Sequence, residues 1–173
     1  QGRRLATVAA MGTALVTGAS AGLGRAFATE IAARGHNVVL VARDASRLHE
    51  LAAEISHRYE VSTEVLAANL ADRAQLEQVA QRIGDPSRPI DLLVNNAGFG
   101  TNQDFATGDL ELEEQAIDVM IRAVLVASHA AAAAMSTRGH GAIINVSSVA
   151  SFTVMGTYSA IKAWETVFSE ALA

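Results

Sequence analysis

Short, almost wholly apolar runs alternate along the chain with longer stretches in which apolar residues recur every three or four positions. Thr13 to Thr17 is a β-rich run that leads through a glycine cluster into Leu23, Ala26, Phe27 and Ile31, spaced as one face of a helix that ends at Gly35. Asn37 to Ala42 is apolar throughout, as a strand buried on both faces requires, and Asp44 is placed to cap a helix carrying Leu48, Leu51, Ala52 and Ile55. Val61 to Ala67 predicts a third strand, and Asp72 a cap for a helix with Leu76, Val79, Ala80 and Ile83 inward. After the break at Gly84 to Pro89 come a strand at Ile90 to Val94, a long helix from Asp109 to Thr137, a strand at Ala142 to Val146 and a helix at Thr157 to Leu172.

Strict alternation of strand and helix makes the strands parallel, because each helix returns the chain across the sheet. Right-handed crossovers then give an α/β fold with a doubly wound parallel sheet of Rossmann type, whose ligands sit beyond the C-terminal ends of the strands. Gln1 to Ala10, ahead of Met11, reads as an N-terminal extension, and residues 11–173 as one domain.

Composition narrows the functional classes. A formal net charge of -5 with no basic run argues against a nucleic-acid partner, which needs clustered Lys or Arg. The sequence has no cysteine, so nothing calls for an oxidising compartment, and a cytoplasmic home is the simplest expectation. Arg3 and Arg4 before the apolar run Leu5 to Val16 imitate an export signal, but that run merges into a glycine loop instead of a cleavage site. Val119 to Met135 is apolar yet carries Arg122, Ser128 and His129, which fits a half-buried helix and no membrane partner. The five histidines lack ligand spacing, so no metal is expected.

Thr17-Gly18-Ala19-Ser20-Ala21-Gly22-Leu23-Gly24 joins the first strand to the first helix, where free backbone N–H groups and the helix dipole attract a pyrophosphate. Three further motifs follow in order: Asn95-Asn96-Ala97-Gly98 after the fourth strand, Ser147-Ser148 ending the fifth, and Tyr158-Ser159-Ala160-Ile161-Lys162 opening the last helix. From about Met11 to Ala173 the chain resembles the classical short-chain dehydrogenase/reductase family. The resemblance implies that Gly18, Ser20, Gly22, Leu23, Gly24, Asn95, Ala97, Gly98, Tyr158 and Lys162 bind a nicotinamide dinucleotide. The second strand ends Val41-Ala42-Arg43, without the acidic residue that grips a ribose 2′-hydroxyl, so Arg43 points to NADP in preference to NAD. Asn69 stands where the family has an aspartate for the adenine amino group, and it reads equally as a turn residue before the helix capped by Asp72.

Tyr158 and Lys162, the chain's single lysine, lie four apart and so share a helix face. In the mechanism implied by the family, Lys162 holds the nicotinamide ribose and favours the tyrosinate, Tyr158 exchanges a proton with the substrate oxygen, and Ser148, preferred over Ser147, stabilises charge there. A unit charge about 4 Å away at an effective dielectric near 20 is worth roughly 4 kcal/mol to such a phenolate. The sequence departs from the family at Met120, where an asparagine usually completes the catalytic tetrad and holds a relay water, and this predicts slow turnover or a relay taken from elsewhere. The spacing from Ser148 to Tyr158 is also shorter than in most members.

Family members continue past the catalytic helix with further strands and a mobile substrate loop, so a chain ending at Ala173 is expected to be cut short and to leave its fifth strand as a bare edge. The expected activity is hydride transfer between NADP(H) and a small carbonyl or alcohol, apolar because Phe99, Phe105, Phe152, Val154 and Met155 flank the site. A weak or inactive nucleotide-binding remnant, serving as sensor or interaction module, is the competing reading, and sugar-nucleotide epimerases follow because their glycine spacing differs. Helix-paired homo-oligomers are common in the family.

Overall fold

The structure, a computed structural model, describes residues 12–173; the expected extension Gln1 to Ala10, and Met11 with it, lie outside the described residues. Five strands, β1 (Thr13–Thr17), β2 (Asn37–Ala42), β3 (Thr63–Ala67), β4 (Leu92–Asn95) and β5 (Ala142–Asn145), form one sheet in the order β3-β2-β1-β4-β5, every pair parallel. Between them run the helices α1 (Gly22–Ala33), α2 (Ala45–Tyr59), α3 (Arg73–Gly84), α4 (Leu110–Ile117) and α5 (Ala123–Arg138), with α6 (Thr157–Leu172) last.

The side-chain alternation of buried strands builds two cores. Ala14, Val16, Val38, Leu40 and Val94 face one side and pack with Ala28 and Ile31 of α1 and Leu48, Leu51 and Ile55 of α2. Leu15, Val39, Val41 and Leu93 face the other, against Leu76, Val79 and Ile83 of α3 and Ala127, Ala131 and Met135 of α5. The continuous helical stretch Leu110–Arg138 is long and apolar enough to cross a membrane, but this inward face makes α5 a core element. The expected caps form, Asp44 and Asp72 accepting the N–H groups of Arg47 and Gln75 at 3.1 and 2.9 Å, and Asp109 caps α4 in the same way through the N–H of Glu111 at 2.9 Å.

Several local expectations shift. β3 starts at Thr63, not Val61, because the carboxamide of Asn37 takes the N–H of Ser62 ahead of the ladder. β4 starts at Leu92, not Ile90, because the Asp91 carboxylate takes the N–H of Thr13. α1 buries Gly24, Ala28, Ile31 and Ala32, while Leu23 and Ala26 face outward, so the helix is rotated from the face that the apolar spacing suggests. The long helix is interrupted by a π-helical turn, Asp118–Arg122, which inserts one extra residue per turn. β5 is an edge strand, paired only to β4 among the described strands, with Ile144 exposed.

The glycine loop is packed to its limit. A Cβ on Gly18, whose φ is +67°, would lie 2.9 Å from the Ala97 Cα, and one on Gly24 would lie 2.2 Å from the Gly18 carbonyl oxygen. Gly24→Ala can therefore fit only by moving backbone, and it is expected to cost about 1–3 kcal/mol in urea unfolding. Unchanged stability would contradict this packing.

Candidate dinucleotide cleft and active site

A cleft of about 580 Å³ opens beyond the C-terminal ends of β1, β2 and β4. Gly18, Ser20, Gly22 and Leu23 line it, and Gly24 lies buried beneath the loop. The residue capping α1, Ala21, offers no side-chain acceptor, and no acidic residue stands in the first turn. The first N–H groups of α1 thus remain available to an anion, with the helix dipole behind them.

Arg43 lines the wall at the end of β2 and is exposed. Beside it stands Arg47, which sequence reasoning missed although it lies one helical turn onward; its guanidinium is 3.4 Å from the Asp44 carboxylate. Asn69 lines the cleft too, but its side-chain oxygen accepts the N–H of Ala71 at 3.2 Å, so one of its lone pairs is used in the turn.

The two asparagines after β4 divide their work differently from the sequence expectation. Asn95, expected at the cofactor, points its carboxamide into the interior, donating to the Ser128 hydroxyl at 3.0 Å and the Asn145 side-chain oxygen at 2.9 Å. It ties β4 to α5 and β5, because a carboxamide buried there must find partners. Asn96, which was not singled out, lines the cleft and donates to the Thr17 carbonyl at 3.0 Å. The buried Thr17 hydroxyl completes the seam: it accepts the N–H groups of Asn96 and Ala97 at 3.0 and 3.1 Å and donates to the Val94 carbonyl. Ala97 and Gly98 continue the cleft wall.

Behind Gly98 lies the N-terminal part of α6. A Cβ on Gly98 would be 3.0 Å from the Met120 sulfur and 3.7 Å from the Lys162 Nζ, so these three residues adjoin. The π turn aims Met120 inward, where it is fully buried with Ala116 and Ile161 and touches the cluster containing Phe99 and Tyr158. Lys162 Nζ lies 5.8 Å from the centre of the Tyr158 ring and donates to the Val146 carbonyl at 2.9 Å and the Glu165 carboxylate at 2.8 Å. Burial pushes the Glu165 carboxyl above its ordinary pKa, against the hydrogen bond and charge of Lys162.

The serine pair separates by its bonding. The Ser147 hydroxyl reaches the Lys162 carbonyl at 2.8 Å and the Thr166 hydroxyl at 2.9 Å, anchoring β5 to α6. Ser148 only accepts, from the Ala150 N–H at 3.1 Å, at the head of the short 3-10 helix Val149–Phe152, and so keeps its hydroxyl proton for another acceptor. Glu113, an acidic residue in the first turn of α4, is buried. A hydrogen bond from Gln103 at 2.9 Å, with smaller help from Thr101 and Thr157, holds its carboxyl below the usual range, and the Gln103 bond ties the loop after Gly98 to α4. Phe105, Phe152, Val154 and Met155 are exposed around this end of the molecule.

Known proteins share this arrangement. The family model described as short chain dehydrogenase matches residues 12–173. An uncharacterised oxidoreductase of Staphylococcus saprophyticus is 35% identical over 153 residues, covering 87% of this chain and 65% of its own length. A very-long-chain 3-oxoacyl-CoA reductase of Laccaria bicolor is 35% identical across 92% of the chain and 48% of that protein, so the chain spans between about half and two thirds of these relatives. Among solved structures, a short-chain dehydrogenase from Sphingobium yanoikuyae in complex with NADPH superposes with a TM-score of 0.90 at 38% identity, covering 94% of this chain and 64% of that one. The bulky-bulky ketone specific alcohol dehydrogenase from Comamonas testosteroni gives 0.91 at 34%, over 94% and 66%. Sequence motifs, sheet order and these matches agree: the chain belongs to the short chain dehydrogenase family.

Proposed function

We propose that the chain carries the catalytic half-site of an NADP-dependent oxidoreductase that moves hydride between the nicotinamide and a small, apolar carbonyl or alcohol. The observation that carries this reading is the place of Lys162: the single lysine of the chain, buried, one turn beyond Tyr158 and adjoining Gly98 where the cleft ends. An ammonium is expensive to bury and is rarely kept out of water without a polar task.

The cleft residues fit the group that the reading requires. The Gly18 to Gly24 loop and the open N-terminus of α1 suit the pyrophosphate, Arg43 a 2′-phosphate, Asn69 the adenine edge, and Ala97, Gly98 and Lys162 the nicotinamide end. The dinucleotide, when bound, supplies or accepts the hydride. The chain's own part is to hold the substrate oxygen between the Ser148 hydroxyl, which can donate to it, and the Tyr158 phenol, which gives or takes the proton. Neighbours with NADPH in their structures, from Sphingobium and a Gluconobacter L-sorbose reductase, support NADP, and ketone-reducing relatives with bulky or long-chain substrates support an apolar carbonyl. Self-association through exposed apolar positions such as Leu125 and Val167, and a cytoplasmic setting, belong to the same reading.

Met120 favours a second reading. A buried thioether in the position of the relay asparagine offers no hydrogen bond of comparable strength, so a nucleotide-binding sensor would bind NADPH without turnover.

Fluorescence titration with NADPH and NADH tests the cofactor. Arg43→Ala is expected to weaken NADPH about tenfold or more, for the loss of one charged hydrogen bond, and to leave NADH unchanged. Equal losses for both would remove Arg43 from the 2′-phosphate. Carbonyl-dependent oxidation of NADPH tests the chemistry: Tyr158→Phe is expected to keep NADPH affinity and lose at least about 100-fold in turnover. Undiminished turnover in that variant contradicts the assignment of Tyr158.

A further inference from the structure

The Lys162 ammonium has three N–H donors, and two are already engaged, by the Val146 carbonyl at 2.9 Å and the Glu165 carboxylate at 2.8 Å. Both members of the ion pair are out of water, with side-chain exposures of 6% for Lys162 and 3% for Glu165. The reaction as proposed needs no acid at this place, and an apolar residue would pack there without the desolvation that a carboxylate suffers. Near the ammonium stands Met120, whose sulfur and the Lys162 Nζ both adjoin Gly98. The polar partner of the lysine therefore comes from its own helix, and the long helix contributes a thioether.

We propose that Glu165 is a positioning residue for the Tyr158–Lys162 pair: its carboxylate fixes the ammonium behind Gly98, leaves one N–H for the ribose, and tempers the positive charge felt by the phenol. The inference rests on the dinucleotide reading for the ribose, but the charge effect on Tyr158 is a property of the chain itself. A carboxylate close to the ammonium cancels much of its field at the phenol, so the tyrosinate is less favoured than beside a lone lysine. The other charges on elements packed against α6 are accounted for. On the π turn Asp118 pairs with Arg122, on α4 Glu113 is held by Gln103, and Glu111 and Glu114 are exposed. The 3-10 helix and β5 carry no charged residue, and none of these groups bonds to Lys162 or Glu165.

The chain has two tyrosines, so in a Tyr59→Phe background Tyr158 alone gives tyrosinate absorbance. The measurement is the midpoint of that absorbance against pH, with circular dichroism confining it to the folded chain, for the background and for added Glu165→Gln. Removing the carboxylate charge is expected to lower the midpoint by about one pH unit, the effect of a unit charge roughly 10 Å away at an effective dielectric near 20. Glu165→Met, similar in length and uncharged, is expected to give the same fall, and Lys162→Met added to Glu165→Gln to reverse it. An unchanged or raised midpoint in the folded Glu165 variants overturns the proposal. NADPH fluorescence in the same samples reports separately on the cofactor: a native chain that binds no NADPH removes the dinucleotide reading, while the Tyr158 midpoint still decides the pairing of charges.

Discussion

A parallel sheet opens a gap wherever two neighbouring strands send their chains to opposite faces. Here that happens between β1 and β4: α1 leaves toward the core of Ile31 and Leu51, and the chain beyond β4 leads to α5 on the side of Leu76 and Met135. The Thr17 hydroxyl closes the floor of the gap by accepting two N–H groups from the β4 side and donating to Val94. Everything of chemical interest hangs from this seam, because it sets where the glycine loop and Gly98 stand relative to each other.

From the seam the site extends in two directions. Toward β2 the wall is basic, with Arg43 and Arg47 facing a loop whose N–H groups have no side-chain cap. Toward α6 it becomes apolar and then, behind Gly98, charged again at the buried pair Lys162 and Glu165. Glu113 and Ser147 serve the same end from outside the cleft. One ties the loop after Gly98 to α4 and the other ties the end of β5 to the middle of α6, so the helix bearing Tyr158 is anchored to the sheet. Rigid placement of this kind is what proton transfer demands of its donor and acceptor.

Much of this was legible in the residues. β1, β2 and α6 fall on the residues where apolar spacing puts them, because the strands are buried on both faces and the helix has a defined amphipathic stripe. What escaped was decided by tertiary partners. The inward face of α1 is set by the tight approach of Gly24 to Gly18, which outweighs the apolar spacing of Leu23 and Ala26. No residue pattern distinguishes Asn95 from Asn96; only the pleat of β4, which sends one inward to Ser128 and leaves the other at the cleft, separates them. The π turn at Met120 likewise has no sequence signature, and Glu165 looks like any helical acid until Lys162 is found beside it.

The most direct measurement is a crystal structure of the chain grown with NADPH. The expected result has the pyrophosphate over residues 18–24, the 2′-phosphate against Arg43, and the nicotinamide ribose within hydrogen-bond reach of the Lys162 Nζ, with the Tyr158 phenol facing the nicotinamide. A bound dinucleotide from which Tyr158 and Lys162 both point away would contradict the reading of this cleft as an active site.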